Sequence, residues 1–178
     1  MIVIITGASH TGKTLLAQRI LEEYHYPYLS MDHLKMGLIR SRYTHLTAED
    51  DEALTAYLWP VVREMIKTAA ENRQDLTVEG CYVPFDWRKD LPGSYLRDVR
   101  FICLAMTDRY IDSHFDDITV HACDIEWRGD DTSCSPCFLK AENRRYAEGF
   151  RQCGEEPSLI DGDYGQSINE IIQRTFCP

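Results

Sequence analysis

No stretch of this chain is apolar over the roughly 20 residues that a helix needs to cross a bilayer, so no membrane partner is expected. Cations are the scarcer charge, 19 Lys plus Arg against 29 Asp plus Glu, for a net charge of -10. A surface of that sign repels polyanions, which argues against nucleic acid as a partner. It leaves small anions open, because a local cationic pocket works within an acidic body. There is no internal repeat and no low-complexity linker. Nothing before the first apolar run resembles a basic stretch followed by a secretory core, so a cytoplasmic location is expected. With 178 residues and 44% hydrophobic content, the chain suits one domain, 1–178. Oligomeric state cannot be read from it. Cys-x-x-Cys occurs once, at Cys134 and Cys137. A structural zinc site takes four ligands. His121 and Cys123 would have to complete it; a redox pair or plain thiols are the alternatives. Seven cysteines is an odd number, and reduced thiols are expected, with Cys81, Cys103 and Cys177 as small core residues.

What the chain does have stands at its beginning. The apolar run Ile2 to Thr6 leads straight into Gly7-Ala8-Ser9-His10-Thr11-Gly12-Lys13-Thr14. That segment satisfies G-x-x-x-x-G-K-[ST] at every fixed position, between a strand pattern and a helix pattern. Glycines let the backbone curl so that several N–H groups converge on one phosphate group, and the following helix adds its positive end. Lys13 is placed to reach the β- and γ-phosphates, and the Thr14 hydroxyl to ligate Mg²⁺. A nucleoside triphosphate is the expected ligand of residues 7–14.

Periodicity predicts strands at 2–6, 26–31, 76–79, 99–105 and 158–160. Helices are predicted at 12–24, 33–41, from Thr47 to about Asn72, from Asp108 behind a Thr107 cap, at 138–151 and at 167–176. Pro60 predicts a kink or break near Trp59. From about Asp116 to Pro136 the pattern loosens. Strands alternating with helices imply an α/β fold, a five-stranded parallel sheet with helices on both faces. Ligands of such sheets bind at the carboxyl ends of the strands. That directs attention to Gly7, Asp32, Glu79, Met106 and Asp161.

Asp32 could orient or deprotonate an acceptor hydroxyl, or hold Mg²⁺ through water; it could also simply cap the next helix. Glu79 could serve the metal or the acceptor, with Gly80 letting the backbone pass close to a ligand. Lys35, Arg40 and Arg42 suit an acceptor's phosphate or carboxylate. Arg144 and Arg145 could stabilise charge on a transferred phosphoryl group, or could pair with Glu142, Glu148 or Glu155. Arg109 and Arg128 are further cations. Tyr57, Trp59, Phe85 and Trp87 could line an acceptor pocket or belong to the core.

The motif at residue 7, the Asp after strand two, the Glu-Gly after strand three and the Arg pair behind a loose segment together resemble the small P-loop kinases. These include the nucleoside monophosphate, shikimate and gluconate kinases. Val78-Glu79-Gly80-Cys81-Tyr82-Val83-Pro84 is also similar to a Glu-Gly…Pro stretch of 2-phosphoglycerate kinases. The resemblance implies an ATP- and Mg²⁺-dependent phosphotransferase with a small-molecule acceptor and a lid at 116–140. Lys13 and Thr14 would hold Mg-ATP, Arg144 or Arg145 would close over the phosphates, and Asp32 and Glu79 would face the acceptor. The chain departs from the adenylate kinases in its thin complement of lid arginines. A regulatory ATPase acting on a protein partner is the main alternative. A toxin or antibiotic-modifying kinase would use the same chemistry.

Overall fold

The computed structural model describes residues 1–121, 125 and 134–177. Five strands, β1 (Ile2–Gly7), β2 (Tyr28–Ser30), β3 (Leu76–Glu79), β4 (Val99–Met106) and β5 (Ser158–Ile160), form one sheet in the order β2-β3-β1-β4-β5. The registered pairs are parallel. Around it lie α1 (Lys13–Tyr24), α2 (Met31–Arg40), α3 (Asp51–Glu71), α4 (Gly93–Leu96), α5 (Asp108–Val120), α6 (Pro136–Gln152) and α7 (Tyr164–Phe176). Among the described residues, no helix is long and apolar enough to cross a membrane.

The chain divides into two compact units, residues 1–6 with 17–101 and residues 7–16 with 102–178. In the first, β3 runs between β1 and β2, with Ile5 and Ser30 both opposite Glu79. Its core gathers Ile2, Ile4, Leu54, Leu58, Ile66 and Trp87. Such continuous apolar runs are what a strand buried on both faces requires. In the second, β4 pairs with β5, and α5 packs on α6. Lys140 meets Asp112 across that helix pair at 2.5 Å.

Several boundaries differ from the sequence pattern. β2 ends at Ser30, which takes an extended conformation before the helix (φ -81, ψ 120), so Met31 and Asp32 belong to the first turn of α2. A carboxylate in that turn complements the helix dipole. α3 starts at Asp51 rather than near Thr47, because the Asp50 carboxylate turns back to accept from the Thr47 N–H at 2.7 Å and its hydroxyl at 2.9 Å. Pro60 sits inside an unbroken α3. The irregularity falls instead at His114 of α5 (φ -129, ψ 20). α7 begins three residues early because Asp163 caps it, accepting from the Gln166 N–H at 2.6 Å. The Thr107 cap on α5 is present, its hydroxyl accepting from the Tyr110 N–H at 3.2 Å. A 3-10 turn at Trp87–Asp90 and the short α4 have no counterpart in the periodicity. The segment 116–140 takes in the end of α5 and the start of α6 and otherwise falls largely outside the described residues.

Candidate functional site

In the second unit, the chain leaves β1 through Gly7 at φ +140, where a Cβ would come within 2.1 Å of the Leu104 carbonyl oxygen. Gly12 follows at φ +81 and His10 at φ 63. These left-handed residues curl the segment into a concave loop. The loop is pinned on one acceptor, because the Thr11 hydroxyl donates to the Ala8 carbonyl at 2.9 Å and the Lys13 ammonium donates to it at 2.7 Å. Lys13 and Thr14 are nearly buried, at 5% and 7% exposure. A buried ammonium resting on one neutral carbonyl is a cation placed for an anion to claim.

The loop opens on a cavity of about 510 Å³, lined by His10, Gly12, Lys13 and Thr14 on one side. Facing them are Met106, Tyr110, His114 and Asp117, with Asp163 and Tyr164 from the turn after β5. That volume suits a small ligand. Tyr110 and His114 stack at 4.3 Å. Burial raises the Tyr110 phenol above its usual range, with the Asp117 and Asp163 carboxylates adding to it. Cys103, on β4, is buried, and burial pushes its thiol up to about 12 against the opposing pull of the Lys13 ammonium. The residues of α5 in this wall recur at helical spacing, which puts them on one face but does not tell that the face meets the loop. Nothing local distinguishes Tyr164.

The arginines behind the loose segment do not line this cavity. Arg144 pairs with Asp108, its Nε 3.1 Å from the carboxylate. Arg145 pairs with Glu142 at 3.0 Å and lies 4.7 Å from the Tyr146 ring centre. Arg109 pairs with Asp161, whose carboxyl is held below its usual range by the Thr107 hydroxyl first and Arg109 second. Arg128 and Cys123 lie outside the described residues. Among the described residues, no three His, Cys, Asp or Glu side chains converge as metal ligands. Cys134 is half-buried and Cys137 exposed. Cys103 meets the core expectation; Cys81 is only half-buried, and Cys177 is exposed because it follows the last turn of α7.

In the first unit, Asp32 is joined to Lys35 at 2.6 Å. The Lys35 ammonium donates to the Tyr82 hydroxyl at 2.7 Å, and that hydroxyl donates to Asp51 at 3.4 Å. Burial raises the Tyr82 phenol well above its usual range, with neighbouring Cys81 and Asp32 adding to it. Glu79 ends β3 almost fully buried, at 1% exposure. Gly80 follows at φ +154 against Met31. Arg40 is exposed in the last turn of α2, and Arg42 is exposed just beyond it. Trp59 and Trp87 belong to the core, the first donating to Asp90 at 2.8 Å and the second stacked on Phe101 at 5.1 Å. Tyr57 is exposed and Phe85 half-buried.

No protein-family profile and no curated protein matches the chain. Solved structures do. A shikimate kinase from Bacteroides thetaiotaomicron is similar over 98% of this chain and 96% of its own, with a TM-score of 0.56 at 14% identity. A deoxyadenosine kinase from M. mycoides is similar over 98% of both chains, with a TM-score of 0.54 at 13% identity. A gluconokinase from Sinorhizobium meliloti 1021 covers 94% of this chain with 87% of its own, with a TM-score of 0.52 at 16% identity. At these identities the likeness is one of fold, and the fold is that of the small P-loop kinases. It carries nothing on the 2-phosphoglycerate kinase stretch.

Proposed function

We propose that this chain is an ATP- and Mg²⁺-dependent phosphotransferase that moves the γ-phosphoryl group to a small-molecule acceptor. The observation that supports it best is the curled loop of residues 7–14 opening on a cavity of about 510 Å³. In this reading the backbone N–H groups of residues 7–14 and the start of α1 bind the phosphates. Lys13 exchanges the Ala8 carbonyl for phosphate oxygens. The Tyr110, His114 and Tyr164 side of the cavity encloses the nucleoside. The donor set fits Mg²⁺ in the ordinary P-loop manner, one hydroxyl from Thr14 beside the phosphates, since this ion keeps several waters and needs few protein ligands. When bound, it would neutralise charge on the β- and γ-phosphates.

Asp32 is the acceptor-hydroxyl base or orienter in this proposal, with Lys35 fixing its carboxylate. Glu79, Gly80 and Arg40 complete the acceptor set. Arg144 or Arg145 would serve the phosphoryl group only after leaving Asp108 or Glu142. Residues 116–140 act as the lid. The chain's own contribution is positioning and charge placement, which is most of what phosphoryl transfer asks of a protein.

The test is ADP release from Mg-ATP across phosphoglycerates, glycerate, gluconate, shikimate and nucleoside monophosphates, with Lys13→Ala beside the wild type. One acceptor should raise ADP release by at least about a hundredfold, and Lys13→Ala should abolish it, as expected when a buried charge contact to the phosphates is removed. Failure of the wild type to bind ATP would overturn the reading. Tight ATP binding without stimulation by any acceptor would move the assignment to a nucleotide-dependent protein partner.

A further inference from the structure

We propose that Tyr164 is a positioning residue for the phosphate loop, its phenol seated on Gly12 and holding the Thr11–Gly12 peptide in the orientation that nucleotide binding uses. This rests on residues 7–14 binding a nucleotide, as proposed above.

Three observations carry it. The hydroxyl of Tyr164 donates to the Thr11 carbonyl at 3.3 Å. A Cβ on Gly12 would lie 1.7 Å from the Tyr164 phenolic oxygen and 3.0 Å from the ring carbon that bears it. Tyr164 also lines the same cavity as Lys13 and Thr14. The fixed glycine of the motif is usually explained by the close approach of a phosphate. Here the room that Gly12 leaves is taken by a side chain from the other end of the sequence.

The consequence follows from peptide geometry. In a trans peptide the carbonyl and the N–H point in opposite directions. Holding the Thr11 carbonyl toward Tyr164 therefore aims the Gly12 N–H away from it. Thr11 is fixed a second time, since its own hydroxyl donates to Ala8 at 2.9 Å. Tyr164 is itself well placed to act as a brace. It opens α7, and the preceding Asp163 caps that helix through the Gln166 N–H at 2.6 Å. The phenol thus projects from an ordered helix start onto a loop with three positive-φ residues, Gly7, His10 and Gly12. A loop that strained holds one conformation when its surroundings fix it.

The experiment measures the Kd of a fluorescent ADP analogue with Mg²⁺ for the full chain, together with Tm, in wild type, Lys13→Ala and Tyr164→Phe. Phe keeps the ring and removes only the hydroxyl. Kd should rise about three- to tenfold in Tyr164→Phe, the worth of one hydrogen bond, beside whatever small fall in Tm the loss of that bond brings. A purely structural role would lower Tm and leave Kd where it was. A second comparison uses Gly12→Ala. The φ of +81 strains alanine with or without the phenol, but the collision with the hydroxyl exists only when Tyr164 is present. Gly12→Ala with Tyr164→Phe should therefore bind at least as tightly as Gly12→Ala alone, rather than adding the two losses. If the wild type does not bind the analogue, the phosphotransferase reading fails first. If it binds and Lys13→Ala does not, yet Tyr164→Phe keeps the wild-type Kd, this inference alone is overturned. Should Gly12→Ala not fold, the Tyr164→Phe comparison decides by itself.

Discussion

Gly80 shows how one missing side chain can set a neighbouring element. A Cβ there would stand 2.7 Å from the Met31 Cβ, and its φ of +154 disfavours any L side chain. Met31 opens α2, the helix that carries Asp32 and Lys35. Gly80→Ala should therefore cost about 1–3 kcal/mol through overpacking. Gly37→Ala, inside α2 with open space around it, should gain about 0.5–1 kcal/mol. Urea unfolding midpoints of the two variants check both signs, and equal midpoints would refute the packing account. The same residue marks a limit of reading a chain. Gly80 after an acid suggests a backbone that passes close to something; that Met31 fills the space a Cβ would need is set by the fold and is not written in the neighbouring residues. Lys13, Gly7 and Gly12 were legible because phosphate binding demands those residue types at that spacing. Tyr110, His114 and Tyr164 were not, because only the fold carries them to the loop.

Among the elements, those fixed by local chemistry followed the pattern. β3 and β5 have the predicted bounds, and Thr107 caps α5. The departures arise where two local choices compete. Asp50 prefers to reach back to Thr47, which delays α3, and Asp163 captures the start of α7 before Ser167 can. Pro60 is the clearest conflict. Its exposed ring sits in the middle of α3, where the N–H it lacks would have bonded the Ala56 carbonyl. The helix survives because Leu54, Leu58, Trp59, Val62 and Ile66 bury one face of it. Burial of that face outweighs a propensity penalty of about 3 kcal/mol. Pro60→Ala should then stabilise the protein by about 1–3 kcal/mol, because the apolar face is untouched and one hydrogen bond is restored. Thermal unfolding measures it. A lower Tm would mean that the ring makes packing contacts that its exposure denies.

At the scale of the whole molecule, the response to pH follows from which groups are buried rather than from the net charge of -10. On the acid side, Asp50, Glu64, Asp75 and Asp161 are held below their usual range by hydrogen bonds, to Thr47, to Lys67, to the N-terminal ammonium and to Thr107 respectively. A lowered folded pKa adds stability above the unfolded value, near pH 4, and loses it as pH falls. These groups lie at the surface, so solvent screens most of that gain. The alkaline side differs. Cys103 is buried, and its thiol rises from 9.0 to about 12. The Tyr82 phenol moves upward as well. A raised folded pKa contributes stability that is whole below the unfolded value, about pH 9 for the thiol and 10 for the phenol, and is lost as pH climbs toward the folded value. Unfolding free energy should therefore stay level from about pH 5 to 9 and then fall steeply. Cys103→Ala should lower the plateau, since a small cavity replaces the sulfur, and it should also flatten the alkaline descent. Urea titrations at about pH 7, 9 and 10.5 separate the two effects. A Cys103→Ala curve that ran parallel to the wild type at every pH would show that this thiol ionises as readily in the folded chain as in the unfolded one, and the alkaline loss would then belong to the tyrosines.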